Sequence, residues 1–177
     1  MTSDEELMDE IRQGARAAFE TLFERYREPI WRFFRRRAAD AGRAEELAQD
    51  VFVAVLDGAA RYERRGAVRS YLFGIAYNVL QADRRKAAHR ATDPLDAEAP
   101  DPDVADPDRG IWVRDALQRL DEDDREVLML REYEQLSYED IAEALAVPIN
   151  TVRSRLFRAR SELRAVLDER AVQGDLR

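Results

Sequence analysis

The sequence predicts an all-α protein made of two small helical lobes, on three observations. Apolar residues recur at steps of three and four along most of the 177 residues, the spacing of one helix face. No segment alternates apolar and polar residues as a half-buried strand would. Residues 91–111 hold four of the six prolines and seven acidic side chains, so an extended acidic linker is expected there. The expected domains are therefore 1–90, the linker 91–111, and 112–177.

Four helices are expected in residues 1–90. A capping box at Ser3 and Glu6 opens the first, and Gly14 closes it. The second is long, with a kink expected at Pro29, and the third ends near Gly58. The positions expected to face the core are Leu7, Met8, Ile11, Phe19, Leu22, Phe23, Tyr26, Ile30, Phe33, Phe34, Leu47, Val51, Val55, and, in the fourth helix, Val68, Leu72, Ile75 and Val79.

Residues 112–177 are expected to form a short helix near Leu117, another through Val127, and a helical pair after that. A second capping box, Ser137 to Asp140, opens the pair. A capped helix, a tight turn and a second helix over residues 136–156 are typical of a helix-turn-helix, whose second helix enters the DNA major groove.

The face of the last helix opposite its apolar stripe can bind DNA. Residues 150–164 carry five arginines against one glutamate, although the whole chain has a net charge of −8. Arginine suits paired contacts to phosphate or guanine, and the neighbouring polar side chains can bind base edges. The residues expected to contact duplex DNA are Asn150, Thr151, Arg153, Ser154, Arg155, Phe157, Arg158 and Arg160.

Composition excludes several kinds of chemistry. The chain has no cysteine and one histidine, so disulfides, thiolate metal sites, a cysteine nucleophile and histidine clusters are excluded. No metal, no cofactor and no enzymatic activity are expected. The longest apolar stretch, Tyr71 to Tyr77, is too short to span a bilayer, and the acidic N-terminus does not resemble a signal peptide. We therefore expect a cytoplasmic protein with no membrane partner.

At this point the chain resembles a known family. Ile141 to Leu145, Val147 to Ile149 and Thr151 to Arg160 are similar to region 4 of bacterial extracytoplasmic-function (ECF) sigma factors. Separately, Glu46 to Leu56 resembles sigma region 2.2, and Val68 to Arg85 resembles regions 2.3 and 2.4. The two matches stand in the family's order and together cover nearly all of the chain except the linker.

The sequence departs from the family at three positions. Family members usually have glycine where Ala146 and Asn150 stand, and often tryptophan where Tyr71 stands. Glycine tolerates a positive φ, which alanine does not, so Ala146 bears on the conformation of the turn. Asn150 is compatible with a helix start because asparagine is a good N-cap.

Promoter melting requires capture of unpaired bases, which favours aromatic or apolar pockets beside cationic side chains. The resemblance implies that the loop after the third helix takes a flipped base of the −10 element. The residues expected to contact that element and the adjacent duplex are Arg61, Tyr62, Arg64, Arg65, Arg69, Asn78, Arg84, Arg85 and Lys86.

The resemblance also implies contacts with core RNA polymerase. The third helix would dock on the β′ clamp helices, and the segment from Leu117 to Glu132 would meet the β flap. The acidic linker would thread the polymerase toward its active centre. The residues of the third helix expected to bind the polymerase are Glu46, Gln49, Asp50, Phe52 and Val53.

The leading hypothesis is an ECF-type sigma factor that binds core RNA polymerase, recognises −35 and −10 promoter elements and assists DNA melting. An anti-sigma factor is an expected further partner. A stand-alone helix-turn-helix regulator of duplex DNA is the alternative, although it leaves residues 1–90 unexplained. A metal-dependent nuclease using Asp121, Asp123 and Asp124 is disfavoured, because acidic residues at a helix start match the helix dipole.

Overall fold

The computed structural model describes residues 2–38, 40–64, 66–90, 113 and 115–174. Within these residues the regular structure is helical and no strand is present. The chain divides into two compact units, and the linker expected at 91–111 lies outside the described residues. The helices of the first unit are α1 (Asp4–Arg12), α2 (Arg16–Arg35), α3 (Ala41–Gly58) and α4 (Val68–Arg90), with a 3₁₀ turn at Ala59–Arg61. The second unit contains a helical turn at 115–118, α5 (Glu122–Glu132), the first part of α6 (Tyr138–Leu145), and α7 (Ile149–Gly174).

The capping box predicted at the start of α1 is confirmed. The Glu6 N–H donates to Ser3 Oγ at 3.2 Å, and the Ser3 N–H donates back to Glu6 Oε2 at 2.7 Å. Two backbone donors that would otherwise be unpaired at the helix start are therefore satisfied. The apolar face of α1 (Leu7, Met8 and Ile11) is buried, as its spacing predicts.

A polar contact fixes α1 against α2 at the edge of the core. The Tyr26 hydroxyl donates to the Asp4 carboxylate, and the Arg25 guanidinium pairs with the same carboxylate. Burial and the neighbouring Asp4 charge raise the pKa of Tyr26 well above its ordinary value, so the phenol keeps its proton and remains a donor. The first turn of the chain's first helix is thereby joined to the middle of the second.

The core of the first unit lies among α2, α3 and α4. α3 packs on both α2 and α4, and α2 continues through Pro29 to Arg35. Fully buried Phe33 meets Phe34 edge-on at 5.0 Å between ring centroids, and its ring lies 5.8 Å from that of Phe73 on α4. Such aromatic pairs contribute about 0.5–1.5 kcal/mol beyond the area they bury.

The buried face of α4 differs from the predicted one. Val68 and Leu72 are buried as expected, but Ile75 and Val79 are only half-buried. Their places in the core are taken by Phe73, Ala76 and Leu80. Residues 68–80 are apolar on more than one side, so periodicity alone cannot choose the face, and the packing against α2 and α3 decides it.

The second unit is built around the predicted helical pair. The Asp140 N–H donates to Ser137 Oγ at 3.0 Å, and the Ser137 N–H donates to Asp140 Oδ2 at 3.1 Å, so the second capping box is also confirmed. Asp121 caps α5, accepting from the Asp123 N–H at 3.0 Å. α5 packs on α7, and the buried side chains of this core include Leu130, Leu136, Ile141, Val152, Leu156 and Ala159.

The turn between α6 and α7 holds a non-glycine residue in the left-handed region. Ala146 has φ of 53°, and the Val147 N–H donates to the Ala142 carbonyl at 3.0 Å. This bond across the helix end is that of a Schellman motif, which usually has glycine at the position of Ala146. The turn therefore keeps the geometry expected of glycine, at a cost of about 1–2 kcal/mol for the alanine Cβ.

We expect Ala146→Gly to stabilise the second unit. The substitution removes that strain, while the greater freedom of glycine in the unfolded chain takes back about 0.5–1 kcal/mol. A net gain of about 0.5–1 kcal/mol should raise the unfolding midpoint in urea. Ala165→Gly, in the exposed middle of α7, is the matched control and should destabilise by about 1 kcal/mol. Equal destabilisation by both changes would contradict the assigned turn.

Candidate nucleic-acid interface

An exposed stripe runs along the first two turns of α7. Asn150, Arg153, Ser154 and Phe157 are all exposed on this stripe, while Val152 and Leu156 on the opposite side are buried. The side chain of Phe157 is unusually open, with 74% of the residue accessible. Arg153 Nη1 donates to Asn150 Oδ1 at 3.0 Å, so the two polar side chains are held together. The stripe offers donors, an acceptor and an apolar ring, the groups that bind base edges and thymine methyls.

Three other arginines of α7 pair with carboxylates of α5. Arg158 binds Asp124 through two hydrogen bonds, Nε to Oδ2 at 2.8 Å and Nη2 to Oδ1 at 2.7 Å. Arg155 pairs with Asp123. Arg160 Nη2 donates to Glu132 Oε1 at 2.9 Å. The basic face predicted for α7 is therefore partly neutralised by α5, a pairing that local sequence patterns do not predict.

Burial differs sharply between two of these pairs. The Asp124 side chain is 3% exposed and that of Arg158 is 54% exposed. In the other pair the Arg155 side chain is 19% exposed and that of Asp123 is 55% exposed. Hydrogen bonding to Asp124 raises the pKa of Arg158 above its ordinary value. Arg158 is thus held by a buried carboxylate while its own side chain is open to solvent, whereas most of the Arg155 side chain is buried against the protein.

The segment predicted to capture an unpaired base does not present Tyr62 at the surface. Tyr62 is only 6% exposed, and its ring packs on Tyr71 at 4.9 Å between centroids. Tyr62 was expected to be offered to a base, and in this structure its ring belongs to the core instead. Tyr62 directly follows the 3₁₀ turn Ala59–Arg61, and its ring is covered by Tyr71 of α4.

The cationic residues expected around Tyr62 have varied surroundings. Arg61 is exposed, Arg64 pairs with Asp9 of α1, and the Arg69 guanidinium lies 5.1 Å from the centroid of the Phe73 ring. Of the α4 residues predicted to contact DNA, Asn78, Arg85 and Lys86 are exposed and Arg84 is half-buried. Arg65 lies outside the described residues.

The face of α3 predicted to bind a protein is largely open. Glu46, Gln49 and Asp50 are exposed, and Val53 continues the same face with 56% of its surface accessible. Phe52 was expected to be an apolar anchor, but it is 5% exposed, and its ring centroid lies 4.8 Å from that of Phe23. Phe52 therefore supports the face from within, and Val53 is an exposed apolar group on the face.

A groove lies beside this face, and the sequence patterns did not predict it. It has a volume of about 440 Å³ and is lined by Phe23, Arg27, Glu28, Trp31, Glu45, Ala48, Gln49 and Phe52. Its signal in the sequence is Trp31, a large aromatic residue of α2 that stands outside the buried stripe. Aromatic walls with charged rims are typical of surfaces that bind another protein.

No group of three or more histidine, aspartate or glutamate side chains in the described part of the chain is placed to hold a metal ion. Among the helices described, none is long and apolar enough to cross a membrane. The acidic run Asp121–Asp124 instead caps α5 and pairs with arginines of α7, as described above.

Fold and site together define a two-unit helical protein with a helix-turn-helix DNA-binding unit. The chain matches the family models described as Sigma-70 region 2, over residues 22–90, and Sigma-70, region 4, over residues 111–163. The chain belongs to the sigma-70 family, in its ECF group of RNA polymerase sigma factors.

Relatives and solved structures agree with this assignment. The chain is 32% identical over 177 residues to the RNA polymerase sigma-H factor of Pseudomonas aeruginosa, covering 90% of this chain and 91% of that protein. It is 32% identical over 166 residues to the ECF RNA polymerase sigma factor SigM of Mycobacterium tuberculosis, with 93% and 85% covered. The structure of the sigma factor RpoE in complex with the anti-sigma factor NepR from Bartonella quintana matches with a TM-score of 0.70 and 26% identity, covering 85% of this chain and 96% of that one.

Proposed function

We propose that this chain binds core RNA polymerase, directs it to promoters with a −35 and a −10 element, and helps to open the DNA. Residues 1–90 would act as sigma region 2, residues 112–177 as sigma region 4, and residues 91–111 as the linker between them. Its role is one of binding and positioning, with no catalytic step of its own, and it would act in the cytoplasm with the polymerase.

The observation that carries this proposal is the exposed stripe Asn150, Arg153, Ser154 and Phe157 on the second helix of a helix-turn-helix. In this motif the N-terminal part of the second helix meets base edges in the major groove. The stripe occupies that part of α7, and the buried side of the same turns is filled by Val152 and Leu156. We propose that the stripe reads the −35 element.

We propose that the α3 face binds the β′ clamp helices of the polymerase. Glu46, Gln49 and Asp50 supply polar and acidic groups that complement basic side chains, and Val53 supplies an apolar contact. The exposed cations after α3 and along α4 would hold the −10 region through its phosphates. An anti-sigma factor is proposed as a further partner, because the matched RpoE structure is a complex with one.

Run-off transcription tests the function as a whole. Core polymerase is combined with a library of promoters carrying randomised upstream regions, with and without this chain. We expect initiation at a defined set of sequences only when the chain is present. Tight binding of duplex DNA by the free chain, with no promoter-dependent initiation, would instead identify a stand-alone regulator.

Val53→Asp tests the polymerase face. Because Val53 is exposed, the change should alter the free energy of unfolding by less than about 0.5 kcal/mol. It replaces the proposed apolar contact with a charge that loses its water on binding, so we expect core polymerase to bind at least about tenfold more weakly. Affinity is measured by titration of labelled chain with core polymerase. Ala17→Asp adds the same charge to an exposed position of α2 and should bind normally; equal loss in both variants would count against the α3 face.

A further inference from the structure

Arg158 presents two different edges, and only one of them is used within the protein. Its Nε and Nη2 atoms donate to the two oxygens of Asp124, at 2.8 and 2.7 Å. A guanidinium has five N–H donors in a fixed plane, so three remain: two on the end formed by Nη1 and Nη2, and one on the far side of Nη1. No protein acceptor in the described part of the chain binds Nη1. The free end is suited to a pair of acceptors outside the protein.

The two partners of this pair differ in burial, so the arginine faces solvent and the aspartate faces the protein interior. The Asp124 carboxylate is 3% exposed, on the first turn of α5, while 54% of the Arg158 side chain is open to solvent. A buried carboxylate held by two hydrogen bonds fixes the plane of the guanidinium as well as its position. An arginine side chain has many rotamers, and ordering it in advance removes part of the entropic cost of binding.

We propose that Asp124 is a positioning residue for promoter recognition, which holds Arg158 so that its free end binds two adjacent acceptors on the DNA. Such acceptors are presented by a phosphate group or by the O6 and N7 edge of guanine. This inference rests on the proposed function, in which α7 reads the −35 element. It gives α5 a part in DNA binding although α5 itself need not touch DNA.

The pair Arg155 and Asp123 supplies a matched control. The same two residue types join the same two helices, but here the arginine is 19% exposed and the carboxylate 55% exposed. An arginine packed against the protein has little left to offer DNA, so its partner has no positioning role. Asp123→Asn should therefore change promoter affinity by less than about twofold.

The experiment measures promoter affinity of reconstituted holoenzyme as a function of salt. The probe is a duplex selected by the wild-type holoenzyme from the randomised library. Arg158→Gln and Asp124→Asn should each weaken binding, by about tenfold for the arginine and somewhat less for the aspartate. The double variant should bind no more weakly than Arg158→Gln alone, because the two residues act as one unit. If Asp124→Asn weakens binding equally in the Arg158→Gln background, Asp124 acts by another route and the inference is wrong.

Arg158→Lys keeps the charge and covers the case in which Asp124→Asn unfolds the unit. Lysine is a point charge without a planar pair of donors, so we expect this variant to bind nearly as weakly as Arg158→Gln if the contact is to guanine, and to recover only part of the affinity if it is to phosphate. Wild-type affinity of Arg158→Lys would overturn the inference. If Arg158 contacts a phosphate, Arg158→Gln should reduce the magnitude of the slope of log affinity against log salt by about one. If Arg158 contacts a guanine, the loss of affinity should be restricted to sequences with that guanine.

Arg153→Ala separates the inference from the function on which it rests. If Arg153→Ala weakens promoter binding and Arg158→Gln does not, α7 reads DNA and only the role of Asp124 fails. If neither variant weakens binding while holoenzyme still forms, the proposed function of α7 itself is wrong.

Discussion

Replacement of Leu47 by alanine is expected to cost the first unit about 2–5 kcal/mol. Leu47 is 1% exposed on α3, the helix that packs on both α2 and α4. Removal of the side chain leaves a cavity that the three helices cannot all close at once. Because small domains have a stability of about 5–15 kcal/mol, the loss is a large part of the total. Urea unfolding followed by circular dichroism measures it.

Leu56→Ala is the matched control, with the same atoms removed from the same helix. Leu56 is 48% exposed, so we expect a change of less than about 0.5 kcal/mol. Similar losses in the two variants would mean that the assigned face of α3 is not the buried one.

Replacement of Arg153 by alanine is expected to abolish most promoter-dependent initiation. Arg153 is exposed in the middle of the α7 stripe and contacts Asn150, and unlike Arg155, Arg158 and Arg160 it has no carboxylate partner among the described residues. One arginine bound through two hydrogen bonds contributes about 1–3 kcal/mol of discrimination between bases, so initiation should fall about tenfold or more. Run-off transcription at the selected promoter measures this.

Core polymerase should bind the Arg153→Ala variant with unchanged affinity. Arg16→Ala is the control for loss of one positive charge and should transcribe normally. Arg16 is highly exposed on α2, where it pairs with Glu20. Loss of polymerase binding by Arg153→Ala would indicate that the α7 stripe is a protein interface.

Local signals in the sequence predicted most of the helices. Both capping boxes act over three residues, so Ser3 with Glu6 and Ser137 with Asp140 are readable without any knowledge of the fold. Local patterns do not suffice for α4. Ile75 and Phe73 are both apolar, and only packing against the neighbouring helices decides which of them is buried. Local patterns predict a helix, whereas the choice of its buried face depends on contacts distant in sequence.

The candidate site shows the same limit in its charges. The arginines of α7 are evident in the sequence, but the pairing of Arg158 with Asp124 joins residues 34 positions apart. Tyr62 could not be recognised as buried for the same reason, because its packing on Tyr71 depends on how the 3₁₀ turn returns to α4. Residue type predicted which side chains carry charge, and the structure decided which of them are open to a partner.

The left-handed backbone conformation of Ala146 also bears on how the protein can change by mutation. Every alanine codon becomes a glycine codon by exchange of its second base, so relief of the backbone strain in this turn is a single mutation away. Selection for growth at higher temperature would then act on a substitution that leaves the α7 stripe untouched, since Ala146 lies before that helix begins. The turn is thus a place where stability can change by mutation without any exchange among the residues of the α7 stripe.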